Sequence, residues 1–218
     1  MGPAALLSHL DTIRSLGRSF RRAGLSLKYS LGFHPKPEFT FGPALPVGIA
    51  SLAEYLDVTI ELPVDCEHAS AQLQSALPTG FEVVSMRPKS PKENSIAKIL
   101  GAPSCVVHYQ VGLSDVDFPL ENKLISDIEG QWWGGSLVTE RVSHKGEHKM
   151  IDVRPALKSI VRATASVFEK ASLCADHQWL FDVSLLANGA TIADVVRAFA
   201  PDAKRFAAVR VRFEAVHL

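Results

Sequence analysis

Cysteine is scarce in this chain, and its three residues, Cys66, Cys105 and Cys174, lie far apart in sequence. No CxxC or Cys/His cluster can be built from them, which argues against a zinc site, an iron–sulfur cluster or a disulfide framework held by this chain. Net charge is missing as well. The 23 Lys plus Arg balance the 23 Asp plus Glu, so global electrostatics select no class of partner. No apolar run approaches the roughly 20 residues needed to span a bilayer, and no basic segment precedes a long apolar core at the start. A reducing cytoplasm with no membrane partner is the expectation. The sequence also lacks GxxxxGK[ST], GxGxxG, HExxH, GxSxG and CxxxCxxC, which removes the commonest nucleotide, zinc, hydrolase and cluster readings and leaves no metal site expected.

What the chain does have is concentrated in its first 60 residues. Through residue 40 there are six bases, Arg14, Arg18, Arg21, Arg22, Lys28 and Lys36, against two acids, Asp11 and Glu38. Ser8 followed by Asp11 reads as a capped helix start and Gly24 as its stop, with Leu10, Ile13, Leu16, Phe20 and Ala23 at helical spacing. At 100° per residue the four arginines fall on the opposite face. Such a face suits phosphate, because guanidinium groups give bidentate contacts, and it equally suits a solvated helix with cations near its C-terminus.

The stretch LKYSLGFHPKPEFTFGPALPVGIASLAEYLD (residues 27–57) organises the rest. Pro35 and Pro37 bar His34 and Lys36 from helix, so an imidazole and an ammonium are presented on an extended loop. Loops of this length inside a compact domain are usually functional, although one built of prolines and aromatics also serves as a lid on a core. His9 and His34, with Asp57 among the nearby carboxylates, are the candidates for acid–base work.

With 218 residues, 47% of them hydrophobic, the chain is long enough for one large or two small domains. Strands are expected over residues 55–62, 81–86, 105–113, 137–142, 149–153, 179–186 and 207–216, and helices over 66–77, 120–129 and 192–199. This order gives an α+β chain of two ferredoxin-like α/β sandwich domains in tandem, over 1–90 and 104–218, with a charged, proline-punctuated linker between them. Arg210 and Arg212 alternate with valines and so should share one face of the last strand. His144 and His148 fall on a hairpin tip, where a solvated pair is the simpler reading than a metal site. Trp132 and Trp133 read as a stacking platform or as part of a core.

At LSHLD, LKYSLGFHPKPEFTFGPALPVG, AEYLDV and IDVRPAL the chain resembles the radical SAM-linked protein family, uncharacterised domains fused to, or encoded beside, cobalamin-binding radical SAM proteins. The resemblance implies a short strand ending in Lys-Gly-Pro-Ala before the Ser-His-Leu-Asp motif. Here Met1-Gly2-Pro3-Ala4 begins inside that pattern, so the expectation is either a translation start placed late or a first domain that has lost its first strand. It further implies a radical SAM protein as partner, with S-adenosylmethionine, an iron–sulfur cluster and cobalamin on that partner and no cofactor on this chain, and an RNA-linked role. The binding set is then Arg14, Arg18, Arg22, Lys28, Tyr29, Phe33, His34, Lys36, Glu54 and Arg154. Three functions stay open: an accessory module that binds substrate or partner, an RNA-acting enzyme of pseudouridine synthase or nuclease type using His and carboxylate, and a scaffold without nucleic-acid contact.

Overall fold

The computed structural model describes residues 2–114, 137–143, 146–170, 179–186, 190–201 and 205–215. The expected helix at 120–129, Trp132, Trp133, His144 and Cys174 lie outside the described residues. What is described is a mixed α+β chain.

After a 3-10 turn over Gly2–Leu6, α1 (His9–Arg22) starts at Ser8, whose hydroxyl oxygen accepts the Asp11 N–H. It stops at Gly24, with φ of +72°, where Leu25 N–H donates to Phe20 C=O and Gly24 N–H to Arg21 C=O. This is the Schellman closure, and it needs a residue that tolerates the left-handed region. Phe20, Ala23, Leu25 and Leu27 then join Ala69 and Leu73 of α2 (Cys66–Ala76) in a small core. Leu10 departs from the expected apolar stripe and is 62% exposed. It lies on the helix's first turn, before α1 reaches the core through Gly17, Ser19 and Phe20.

The short strands β1 (Phe39–Phe41) and β3 (Leu56–Val58) pair antiparallel over this core, with Ile60 reaching Leu27 through a single bridge. The strand expected over 81–86 is not formed. That segment is fastened instead by a side chain, the Val83 N–H donating to Gln74 Oε1 on α2 at 2.7 Å. A helix that sequence reading did not anticipate, α3 (Ile96–Leu100), is capped by Ser95 and buries Ile96 and Leu100.

The larger sheet runs in the order β2-β9-β4-β8-β7, with β2 at Ala50–Ser51, β4 at Val106–Ser114, β7 at Leu157–Arg162, β8 at Trp179–Leu186 and β9 at Arg205–Glu214. All neighbours are antiparallel except β2, which lies parallel to β9. One face carries the main core, where Val107, Tyr109, Val111 and Leu113 of β4 meet α3 and α4 (Ile192–Phe199). Fully burying each such side chain is worth about 1.5–3 kcal/mol. On the other face a strap over residues 163–168 crosses the sheet. It is held by buried Gln110, whose amide donates to Ala165 C=O and accepts the Val167 N–H. Phe168 plugs a third cluster with Ala50 and Val209.

The division expected between residues 90 and 104 is crossed by this sheet, because β2 comes from the N-terminal half and β9 from the C-terminal end. Arg210 crosses it too. Only 2% exposed, its guanidinium donates to Pro43 C=O (2.9 Å), Ala44 C=O (3.1 Å), Glu54 Oε1 (2.9 Å) and the Tyr109 hydroxyl (3.3 Å). The expectation that Arg210 and Arg212 share a face is corrected by a register shift. Between His108 and Tyr109 of β4 the partners jump from Arg212 to Arg210, leaving Val211 as the extra residue of a β-bulge. Arg210 consequently stacks over Phe213 on the core side while Arg212 is exposed on the other.

A hairpin of β5 (Val138–Val142) and β6 (His148–Asp152) packs on α4. Its fastening is Asp194, 0% exposed, which accepts bonds from Arg141, from Arg197 at 2.5 Å and from the Thr191 N-cap hydroxyl. Burial pushes this carboxyl up, but the bonds from Arg141 and Thr191 outweigh it and hold the carboxyl well below its ordinary 3.8. A depressed folded value means that the stabilisation is present above the unfolded value and drains away as pH falls through 3.8 toward the folded one. Asp194→Asn should therefore lower stability at neutral pH by about 2 kcal/mol, less than a fully enclosed pair because both guanidiniums reach water, and should flatten the acid limb. Urea unfolding between pH 7 and pH 3 checks both, and a variant with the wild-type acid slope would contradict the assignment.

Candidate functional site

The loop at residues 27–38 stands out from the first core as a narrow finger. Its root is a ribbon: Lys28 N–H donates to Thr59 C=O, Thr59 N–H to Glu38 C=O and Glu38 N–H to Lys28 C=O. One step further out Tyr29 bridges Pro37, Ser30 N–H donates to Lys36 C=O, and Lys36 N–H returns to Ser30 Oγ at 3.1 Å. Pro35 and Pro37 lack the donors that would let the two legs zip into a longer ladder. The chain turns at the tip through Gly32, whose φ of +131° suits glycine.

At this tip Leu31 and Phe33 are 101% and 102% exposed, with His34, Pro35 and Lys36 exposed beside them. Scattered exposed apolar residues are ordinary on a protein surface. Two large ones bracketing a glycine at the end of a protruding ribbon leave about 3–6 kcal/mol of burial unrealised in the isolated chain.

The finger's root rests on α1. A Cβ on Gly17 would lie 3.8 Å from Pro37 Cγ and 4.0 Å from the Phe39 ring, so the helix meets the loop through its glycine. Arg14 and Arg21 lie within about 60° of Gly17 around the helix axis and border that contact. Arg18 and Arg21 are exposed and, among the described residues, have no ion-pair partner, whereas Arg14 is paired with Asp11 at 3.4 Å. Arg22 is engaged elsewhere. It donates to Ala76 C=O at 2.6 Å, closing the last turn of α2, and to Ser19 Oγ. Lys28 pairs with Glu38 at 3.6 Å.

The remaining candidates take other places. His9 stands at the start of α1 with its ring edge-on to Phe41, centroids 5.2 Å apart. Asp57 accepts the Ile96 N–H at 2.8 Å and the Lys89 ammonium, so it anchors the start of α3. No hydrogen bond joins His9, His34 and Asp57 among the described residues. Glu54 is held by Arg210, and Arg154 lies just beyond β6, its N–H donating to Asp152 Oδ1.

Leu31, fully exposed at the tip beside Phe33, is not among the residues singled out from the sequence, although its position two before Phe33 across Gly32 was the available signal. Arg21 was on the basic face but outside the binding set, and among the described residues it has no ion-pair partner, whereas Arg22 is engaged with Ala76 and Ser19.

A family model described as an uncharacterized protein conserved in bacteria (DUF2344) matches residues 1–185. The chain belongs to this family. The DUF2344 match takes in the finger, the basic helix, Asp57, Glu54 and Arg154, and it ends one residue short of the end of β8. No curated protein and no solved structure matches the chain. No helix among the described residues is long and apolar enough to cross a membrane, and no group of three or more His, Cys, Asp or Glu among them is arranged to hold a metal ion.

Proposed function

We propose that the chain is an accessory binding module that works with a radical SAM protein and presents a substrate for RNA modification or processing, with no chemistry at the finger itself. The observation that carries this reading is the protruding finger with Leu31 and Phe33 fully exposed at its tip, rooted beside an arginine-bearing helix. An apolar tip supplies the desolvated anchor of an interface, and the basic flank supplies steering toward phosphate. The four motifs that resemble the radical SAM-linked family support the identity of the partner. S-adenosylmethionine, the iron–sulfur cluster and cobalamin would reside on that partner.

The reading includes two ferredoxin-like units in tandem in the cytoplasm. The antiparallel order β9-β4-β8-β7, with α4 crossing between β8 and β9, supports it for the second unit. For the first unit the support is limited to α1, α2 and the short ladder of β1 with β3.

Purified full-length protein should retain RNA in a filter-binding assay at low salt, with affinity falling steeply as salt rises, since each neutralised phosphate releases counterions. Arg14→Glu, Arg18→Glu and Arg21→Glu together should abolish retention. They should leave the melting temperature nearly unchanged, because exposed substitutions cost within about 0.5 kcal/mol. Arg22 is left intact in this test because it closes α2. Retention insensitive to salt, or to the triple substitution, would remove RNA from the reading.

A further inference from the structure

We propose a second site, remote in sequence from the finger: a serine nucleophile, Ser184, on the strap-bearing face of the large sheet, acting on esters that carry an anionic group. His108 of β4 lies between two partners there. Its Nε2 is 3.0 Å from Glu214 Oε2 on β9, and its Nδ1 is 2.9 Å from Ser184 Oγ on β8. A carboxylate only accepts, so it fixes the proton on Nε2 and leaves the Nδ1 lone pair to take the Ser184 hydroxyl proton. Nucleophile, base and a third group orienting the base form the arrangement that activates a serine.

Two further observations single out this rung. Arg212 lies opposite His108 in register, exposed, with no ion-pair partner among the described residues, so its guanidinium is available to a carboxylate or phosphate. Both flanks of the rung are also irregular. One register shift falls at His108/Tyr109 against β9, and another at Leu157/Ser159 where β7 meets Ser184. Bulges re-aim side chains and concentrate beside active sites. The strap anchored on Gln110, two residues along the same face from His108, borders the row.

The chemistry balances without any added reagent but water. Ser184 Oγ bonds the ester carbonyl carbon as its proton passes to His108 Nδ1. The resulting oxyanion collapses, the C–O bond to the alcohol breaks, and the alcohol leaves with the proton from Nδ1. Water then adds to the acyl-serine with Nδ1 again taking a proton, and collapse releases the acid and restores Ser184. Glu214 is a positioning residue throughout.

The test uses the full chain with a fluorophosphonate probe. Labelling should occur and map by peptide mass spectrometry to Ser184. It should vanish in Ser184→Ala and slow at least about a hundredfold in His108→Asn, the scale of general-base assistance. Glu214→Gln should slow it and shift its pH profile, with Glu214→Asp restoring part of the rate. Arg212→Gln should slow hydrolysis of mono-p-nitrophenyl succinate at least about tenfold more than it slows hydrolysis of p-nitrophenyl acetate. Circular dichroism guards each variant, and if Ser184→Ala fails to fold, the mapped adduct on the wild type decides alone. No labelling above a heat-denatured control, an adduct elsewhere, or wild-type labelling by folded His108→Asn would overturn the proposal. Equal loss on both esters in Arg212→Gln would overturn its anionic specificity.

Discussion

Arg210→Met should cost the fold about 3–5 kcal/mol in urea unfolding, enough to leave a domain of ordinary stability partly unfolded at 37 °C. Methionine matches much of the stem's volume, so packing against Phe213 and Tyr109 survives. What is lost is the donor set. Pro43 C=O, Ala44 C=O and the Tyr109 hydroxyl would be left without a charged donor, and Glu54 without its counter-ion. Each buried acceptor stripped of its partner costs about 1–3 kcal/mol. Glu54 is half-exposed and turns to water, so Glu54→Gln should cost about 1 kcal/mol or less. Arg210→Lys should recover little, since one ammonium cannot span two carbonyls, a carboxylate and a phenol. The clamp also connects the proline-rich loop to β9, so the variant should lose protease resistance across residues 42–54 first. A wild-type midpoint for Arg210→Met would show that the buried cation is dispensable.

The contrast between Arg210 and α1 shows what the sequence can carry. Ser8, Asp11 and Gly24 announce the ends of α1 because capping is a local event, complete within a turn of helix. Thr191 and Asp194 announce α4 the same way and form a full capping box. The strands β4, β8 and β9 were legible within one or two residues because each is a run of eight or more positions rich in β-branched and aromatic side chains. The burial of Arg210 was not legible. Alternation predicts that residues two apart share a face, and a single bulged residue, Val211, inverts that prediction for everything beyond it. Asp57 and Glu54 illustrate the same limit. A carboxylate near a basic loop looks available in sequence, while its partners, Ile96, Lys89 and Arg210, come from 32 or more positions away. The 81–86 segment has strand composition but no partner edge, and composition does not supply one. The finger was the most legible part of the candidate site, because two prolines, a glycine and two large apolar residues in seven positions leave little choice but an extended, irregular, exposed turn.

Leu31→Ser with Phe33→Ser should abolish the cellular role of the protein while leaving its melting temperature within a degree or two of wild type. The two side chains touch solvent over their whole surface, so the folded chain loses nothing when they are truncated, and surface changes of this kind stay within about 0.5 kcal/mol. Any partner that buries them loses about 3–6 kcal/mol, which weakens binding at least a hundredfold. Complementation of a deletion strain, together with co-purification of the proposed radical SAM partner, reads the effect. His34→Ala should behave alike in complementation, since its ring is presented by the same turn and contributes no described contact to the fold. Lys36→Ala should only weaken binding, because an exposed ammonium steers more than it anchors. Gly32→Ala separates shape from chemistry: at φ of +131° an added Cβ strains the turn without removing either apolar group. If binding depends on the finger's geometry, Gly32→Ala should fail with the serine variants. Should the double serine variant complement fully, the finger is not the interface, and should it unfold, the tip packs against the protein and acts as a lid.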